Sequence, residues 1–218
     1  AVPTGNFGNV YAGYVARRMG LPIRRLIVGS NRNDILIRYL RRGVMATAKV
    51  VPTTSPSMDI QVSSNFERLL FEAWNRQSAP LAAAMEGFRR LGRADFGRER
   101  WRRIARLFAG FRLDDRGTAA AIRDIRRSCG ELLDPHSAIG VAAGLARHVP
   151  GDGALVALAT AHPAKFPDAV EAAAGVRPAL PARLADLFER PERCTTLAND
   201  LARVKAFVAG RLRRGPRP

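Results

Sequence analysis

The sequence predicts an α/β fold built on a parallel β-sheet, and three patterns along the chain indicate it. Residues 1–45 alternate loop, helix, strand and helix, which is typical of a parallel sheet covered on both faces. Residues 153–162, GALVALATAH, form the apolar run of a strand buried on both faces. Before the first helix stands a turn with two glycines and two asparagines, a composition suited to holding an anion.

The N-terminal part has clear start and stop signals. The first helix is predicted from Val10 to Met19, because Gly20 is a natural C-terminal stop. RRLIVGSN follows as a short buried strand. NDILIRYLRRG is predicted as a second helix with Asn33 as its N-cap and Gly43 at its end.

Residues 62–130 are predicted to be an all-helical insertion in the sheet domain. The spacing from Ser64 to Glu67 fits a capping box at its first helix, and Thr118 is predicted to cap its last. Between them, apolar residues at helical spacing predict core-facing stripes. The helices concerned are one from Pro80 to Gly92 and one carrying Trp101, Ile104 and Phe108.

The alternation of strands and helices then returns, so residues 1–61 and 131–176 are assigned together to one α/β domain. Asp134 as N-cap and Pro135 at the first helical position make a strong helix start. Pro167 opens another helix that stops at Gly175. Residues 177–218 are predicted as a C-terminal helical segment. Its last helix, from Thr196 to Leu212, has a buried stripe of Leu197, Leu201, Val204, Phe207, Val208 and Leu212.

Composition narrows the class of partner. The net charge is +17, which raises nucleic acid as a partner, but all but three of the 36 basic residues are arginine. These arginines are scattered on helix faces without interleaved aromatics, so we expect no nucleic-acid partner. No apolar run approaches the roughly 20 residues of a membrane span, so we expect no membrane partner. The two cysteines lack metal spacing, and we expect no metal site and two reduced cytoplasmic thiols.

The stretch TGNFGN, residues 4–9, has two readings. Its glycines let backbone N–H groups approach an anion, and the following helix adds unpaired N–H groups and the positive end of its dipole. It is neither a Walker loop nor the dinucleotide fingerprint, because its spacing is G-x-x-G with no G-K-[ST] after it. The pattern alone therefore leaves a phosphate cradle and an ordinary turn both open.

Four blocks carry a resemblance to a known family. They are VPTGNFGNVYAGYVARRMGLPIRRLIVGSNRNDIL, SPSMDIQVSSNFERLLFE, LLDPHSAIGVAA and ATAHPAKFPDAV, in this order. The chain resembles the C-terminal portion of the threonine synthases, which are pyridoxal-phosphate enzymes of the tryptophan-synthase β-like fold. The resemblance covers essentially the whole chain, although residues 78–121 and the C-terminal tail match only loosely.

The resemblance implies a cofactor and its contacts. It implies that pyridoxal 5'-phosphate binds with its phosphate on Gly5, Asn6, Phe7, Gly8 and Asn9. Thr160 stands where a family hydroxyl residue faces the pyridine nitrogen, and a hydroxyl leaves that nitrogen largely unprotonated. The implied parent reaction converts O-phospho-L-homoserine and water to L-threonine and phosphate, in the cytoplasm.

The resemblance assigns no catalytic residue within these 218 residues. In the family the Schiff-base lysine lies well before the phosphate loop, so we expect it upstream of this chain, and we expect a truncated enzyme that is inactive alone. The residues themselves leave other roles open. His162 is either a general acid or base or a turn-forming residue, and Lys165 is the Schiff-base lysine, an anion-binding residue or a residue at a helix start. Ser57, Asp59 and Ser64 either approach the substrate or serve in turns and caps. Two alternative functions also stay open, a basic helical module that binds nucleic acid or acidic surfaces and another pyridoxal-phosphate lyase of the superfamily.

Overall fold

The computed structural model describes residues 1–149, 151 and 153–212. Five strands are assigned in them: β1 (Val2–Pro3), β2 (Leu26–Ser30), β3 (Val44–Ala46), β4 (Arg93–Asp95) and β5 (Phe108–Arg112). The α-helices are α1 (Gly8–Arg18), α2 (Ile35–Arg42), α3 (Phe66–Ala73), α4 (Ser78–Leu91), α5 (Arg98–Leu107), α6 (Asp115–Cys129), α7 (Pro135–Arg147), α8 (Pro167–Ala174) and α9 (Leu201–Leu212). Short 3₁₀ turns span Pro56–Met58, Pro163–Lys165 and Ala182–Leu184.

The main sheet is parallel, as predicted, and has the order β1-β2-β5. Val28 of β2 lies opposite Val2 on one side and Gly110 on the other. All five residues of β2 are buried, because helices cover both faces of the strand. A smaller antiparallel pair joins β3 to β4.

Two glycines allow helices to approach the sheet closely. A Cβ built on Gly29 would lie 3.1 Å from the carbonyl oxygen of Ile139 in α7. A Cβ on Gly110 would lie 2.9 Å from Cδ1 of Ile37 in α2. At these two glycines the sheet therefore lies so close to α7 and α2 that an added methyl group would require neighbouring atoms to shift.

The predicted signals at several helix ends are confirmed. Gly43, Gly92 and Gly175 end α2, α4 and α8 in the left-handed conformation. Asp134 caps α7, accepting from two backbone N–H groups. Three other predicted N-caps are wrong. The N-cap of α2 is Asp34 and not Asn33, that of α3 is Asn65 and not Ser64, and that of α6 is Asp114 and not Thr118.

The prediction that residues 62–130 are all helical is also wrong, because β4 and β5 lie within them. Phe108 does not continue the stripe of α5 but begins β5, which pairs with β2 in the main sheet. The spacing of Trp101, Ile104 and Phe108 fits a helix, but the chain turns extended at its last member. The region therefore contributes a strand to the sheet domain and is more than an insertion.

The predicted strand over residues 153–162 is not assigned as a strand. Its backbone makes two parallel-type bonds to Ala1, from Leu158 N–H to Ala1 O and from Ala1 N to Val156 O. Val156 is 66% exposed and Leu158 39% exposed. The segment thus lies beside the edge of the sheet, and the apolar run that predicted burial on both faces faces solvent in part.

The chain divides into two compact units, with the boundary between Ala179 and Leu180. In the second unit the predicted buried stripe of α9 is wrong, because Leu201 is 70% and Leu212 78% exposed. Across the described residues, no helix has the length and apolarity needed to cross a lipid bilayer. Cys129 and Cys194 are free thiols.

Candidate functional site

The loop between β1 and α1 is fixed to the protein core at its start and its middle. Thr4 continues the sheet through its N–H, which donates to Gly29 O at 2.9 Å, and its Oγ1 accepts from Phe7 N–H at 2.8 Å. Phe7 has φ +64°, a left-handed conformation that is rare for a bulky side chain. Its buried ring packs on Phe66 and Phe108, with centroid distances of 5.0 and 5.6 Å. The strained backbone turn is therefore held by core packing.

A cavity of about 260 Å³ opens above this loop and brings together residues that are distant in sequence. Five of the six predicted cofactor contacts line it: Gly5, Asn6, Gly8, Asn9 and Thr160. The remaining lining residues are Pro3, Thr4, Ser57, Met58, Asn65, His136, Ala161 and Lys165. Phe7 is absent from this lining because its ring turns into the core, so it anchors the loop.

The loop offers hydrogen-bond donors to an anion. The first bond of the α1 ladder runs from Tyr11 N–H to Phe7 O, so the N–H groups of Gly8, Asn9 and Val10 precede the ladder. These groups stand at the positive end of the helix dipole. The Asn6 side-chain oxygen accepts from Ser64 N–H at 2.8 Å, which leaves the Asn6 amide nitrogen to donate. This donor set suits a phosphate group.

Ser64 supports the phosphate loop, a role that its position in the sequence does not reveal. Instead of capping α3, its hydroxyl donates to the Asn6 side-chain oxygen at 2.7 Å. The next N–H, that of Asn65, donates to the Asn6 backbone oxygen at 3.3 Å. The segment before α3 therefore braces the phosphate loop. No spacing within the sequence could show this, because the partners are 58 residues apart.

Asp134 is fully buried behind the cavity and accepts bonds from two side chains. His136 Nδ1 lies 2.9 Å from Asp134 Oδ1, and His136 Nε2 accepts from Ser57 N–H at 3.3 Å. The backbone donor fixes the tautomer, with the proton on Nδ1. His136 was not predicted as a site residue, because its partner Ser57 lies 79 residues away in the sequence.

Ser137 links Asp134 to Thr160. The Ser137 hydroxyl donates to Asp134 Oδ2, and Ser137 Oγ accepts from Thr160 N–H at 3.2 Å. Burial raises the pKa of Asp134, but the hydrogen bonds from His136 and Ser137 outweigh it and bring the pKa below its usual value. The carboxylate thus holds, through one hydroxyl, the backbone of a predicted cofactor contact.

The HPAKF turn places its two ionisable residues differently. The exposed His162 caps a 3₁₀ turn through Nδ1, which accepts from Ala164 N–H at 3.1 Å, and it is outside the cavity lining. Its turn-forming role is the one that the structure supports. Lys165 is also exposed but lines the cavity, with its Nζ 5.9 Å from the centre of the Phe166 ring.

Asp59 belongs to a polar network beside the site. Its Oδ1 accepts from Asn31 Nδ2 at 2.8 Å, Asn33 Nδ2 at 2.9 Å and Thr53 Oγ1 at 2.7 Å. These bonds orient the Asn33 side chain so that its Oδ1 accepts from Val51 N–H at 2.8 Å, and it therefore does not cap α2. They also hold residues 51–59, which carry Ser57 to His136. Asp59 therefore shapes the loop that reaches the cavity.

Comparison with known proteins gives the same family as the motifs. The family model "Threonine synthase, C-terminal" matches residues 137–208. Threonine synthase from Pseudomonas aeruginosa is 50% identical over 216 residues, which are 99% of this chain and 46% of that protein. Threonine synthase from Corynebacterium glutamicum is 36% identical, with 95% of this chain and 44% of that protein covered.

Solved structures agree. The pyridoxal-phosphate-bound threonine synthase from Brucella melitensis has a TM-score of 0.87 and 51% identity, covering 96% of this chain and 45% of that one. Yeast threonine synthase has a TM-score of 0.82 and 32% identity, covering 98% and 47%. The chain spans less than half the length of these relatives. In sequence and in fold, the chain is similar to the C-terminal portion of these threonine synthases.

Proposed function

We propose that the cavity above the phosphate loop binds pyridoxal 5'-phosphate, with the phosphate group on Gly5, Asn6, Gly8 and Asn9. The observation that carries the proposal is the convergence of this loop and Thr160 on one cavity. The donors fit the group, because a phosphate needs several N–H groups and the loop presents them unpaired by the helix ladder. A relative with 51% identity is bound to pyridoxal phosphate, which supports the proposal.

Close packing beneath the loop supports the same fit. A Cβ built on Gly5 would lie 2.9 Å from Met58 Cα and 3.1 Å from Ile60 Cδ1. Glycine at this position therefore lets the loop lie against residues 58–60. The phosphate-binding N–H groups are presented by a backbone that has little room to shift.

Thr160 is proposed to place its hydroxyl at the pyridine nitrogen. Its backbone position is held by the bond to Ser137 Oγ, and through Ser137 by Asp134. A hydroxyl, unlike a carboxylate, does not favour protonation of that nitrogen. When bound, the cofactor supplies an electron sink for chemistry at the amino-acid carbons.

We further propose that the chain serves the conversion of O-phospho-L-homoserine and water to L-threonine and phosphate, in the cytoplasm. The partner is then a small phosphorylated amino acid. Lys165 is proposed to contact an anion from its place in the cavity lining. The alternative of another pyridoxal-phosphate lyase differs in substrate only, and a screen of phosphorylated and hydroxylated amino acids with the full-length protein separates the two.

The direct test compares pyridoxal phosphate with pyridoxal, which lacks the phosphate. Calorimetric titration of the chain should give clearly tighter binding for the phosphorylated form. The Asn6→Ala variant should lose most of that difference, whereas Asn199→Ala, a matched change on an exposed loop, should keep it. Equal affinity for both compounds would overturn the proposal.

A second measurement tests the role of Lys165. Hydride reduction followed by mass spectrometry detects a cofactor covalently attached to a lysine. We expect none attached to Lys165, and reversible binding that weakens in Lys165→Ala. Attachment that disappears in Lys165→Ala would instead make this residue the covalent anchor.

Nucleic acid is the rival partner that the charge of +17 raises. A nucleic-acid-binding function predicts tight binding that falls steeply with salt, because basic side chains that bind several phosphates release the counterions condensed on them. Weak binding at physiological salt is the result that we expect. Tight binding with a steep salt slope would favour the basic-module alternative.

A further inference from the structure

A second cavity, of about 320 Å³, lies among α1, α3, α5 and β5 and shares no lining residue with the first. Its inner surface is apolar, with Leu69, Ile104 and Phe108 all buried. Tyr14 adds an aromatic wall, with its ring stacked on Phe108 at a centroid distance of 6.3 Å. The cavity therefore has a floor suited to the apolar body of a small molecule.

Its rim carries an excess of positive charge. Arg18 from α1, Arg76 after α3 and Arg103 from α5 line it, against the single carboxylate of Glu72. Glu72 accepts from Arg76 Nε at 3.0 Å, so the terminal nitrogens of Arg76 stay available. Arg103 is held in place by bonds to Ala73 O and Asn75 Oδ1. Two positive charges on the rim are thus uncompensated by lining residues.

The backbone at this rim is strained. Asn75 and Arg76 have φ of +52° and +63°, two consecutive non-glycine residues in the left-handed region. They are kept there by bonds from Asn75 N–H to Glu72 O at 3.0 Å and from Arg76 N–H to Phe71 O at 2.9 Å. This turn brings the Arg76 side chain back beside Glu72. Strain of this kind persists where surrounding structure enforces it, and it concentrates at ligand sites.

We propose that this cavity binds a small organic phosphate monoester, with the phosphate on the arginine rim and the apolar body on the floor. A phosphate monoester carries close to two negative charges at neutral pH, which matches the uncompensated charge of the rim. Guanidinium groups bind phosphate oxygens through paired N–H donors. The site is separate from the phosphate loop and does not depend on the function proposed for it.

Three probes separate the contributions of charge and apolar surface. Phenyl phosphate has both parts, inorganic phosphate only the charge, and phenol only the ring. Titrated into the ¹⁵N-labelled chain, phenyl phosphate should shift the Asn75 and Arg76 amide signals at the lowest concentration. Inorganic phosphate should need more, and phenol should leave these signals in place.

Variants assign the site. Arg18→Gln combined with Arg76→Gln should weaken phenyl phosphate binding at this site by roughly tenfold or more. The control pair Arg89→Gln and Arg90→Gln removes equal charge from the exposed end of α4 and should leave affinity unchanged. Asn6→Ala in the phosphate loop should also leave it unchanged.

Three results would overturn the proposal. The first is unaltered binding in the Arg18→Gln and Arg76→Gln double variant, with this variant and the control pair both folded by circular dichroism. The second is a phenyl phosphate response that Asn6→Ala removes, which would place the ligand at the phosphate loop. The third is an equal loss in the rim pair and the control pair, which would mean that general charge alone attracts the probe.

Discussion

Ser64 and Asn6 form a two-point contact across the phosphate loop: the hydroxyl and the backbone N–H of Ser64 donate to the same Asn6 side-chain oxygen, at 2.7 and 2.8 Å. The contact decides which end of the Asn6 amide is free. Because a backbone N–H can only donate, the oxygen must face Ser64 and the amide nitrogen is left to donate. A residue outside the loop thus selects the donor that the loop presents.

Replacing Ser64 tests this selection. Ser64→Ala keeps the backbone bond but removes the hydroxyl, so we expect pyridoxal phosphate to bind roughly 2- to 10-fold more weakly by calorimetry. Stability should change little, because Ser64 is exposed. Ser128→Ala removes a hydroxyl that bonds to Ile125 O within α6 and should leave cofactor affinity unchanged. Unchanged affinity in a folded Ser64→Ala variant would contradict this role.

Gly5 provides a test of packing under the loop. In Gly5→Ala the new methyl would lie 2.9 Å from Met58 Cα, a contact that only backbone movement relieves. We expect the free energy of unfolding to fall by about 1–3 kcal/mol, measured by urea denaturation. Cofactor affinity should fall with it. Gly87→Ala in α4 adds a methyl in open space and should be neutral or stabilising by up to about 1 kcal/mol.

Asp134 is expected to matter more than an ordinary helix cap. Asp134→Asn replaces a buried carboxylate that accepts from His136 and Ser137, so we expect a loss of about 2–3 kcal/mol in the free energy of unfolding. Asp114→Asn alters an exposed cap with one side-chain bond, to Gly117 N–H, and should cost about 1 kcal/mol or less. Equal losses in the two variants would contradict a special role for Asp134.

The stabilisation from Asp134 should depend on pH in one direction. Its pKa is below the usual value of 3.8, so its contribution is complete above that value and is lost as pH falls through the lowered folded pKa. The stability difference between the wild-type chain and Asp134→Asn should therefore be constant near neutrality and shrink on acidification below about 3.8. Urea denaturation at a series of pH values measures it. A difference that grows on acidification would show the opposite shift.

Ser137 is expected to act on Thr160 as a positioning residue. In Ser137→Ala the Thr160 N–H loses its acceptor, so its hydrogen exchange should accelerate by roughly 2- to 10-fold. Ser137→Thr keeps a hydroxyl and should restore protection. Exchange at residues in α4, which holds neither partner of this bond, serves as the control. Unchanged protection of Thr160 in Ser137→Ala would rule the link out.

Local signals in the sequence were enough for much of the fold. Glycine stops, the Asp134-Pro135 start and the buried β2 run are decided by neighbouring residues, so the sequence predicts them well. The strand predicted over residues 153–162 is wrong, because an apolar run does not reveal whether another strand lies beside it. Phe108 was misjudged because helical spacing can continue by chance into a strand.

In the site, too, some residues are predictable from the sequence and others depend on tertiary contacts. The resemblance predicts the loop residues and Thr160 as cofactor contacts, whereas Ser64 and His136 act through partners 58 and 79 residues away. Ser64 looked like a cap because its spacing to Glu67 fits one. In the fold, the Ser64 hydroxyl donates to the Asn6 side-chain oxygen and does not cap α3. Such exchanges depend on tertiary distances that the sequence does not contain.

The anchoring of Phe7 has a consequence for how ligands arrive. Binding loops usually belong to the least stable part of a protein and open on their own. Here, opening the loop would pull a ring that is 1% exposed out of its contacts with Phe66 and Phe108, so opening should require nearly the same event as unfolding the core. A ligand would then bind to a loop that is already ordered, so the loop would lose little conformational entropy on association.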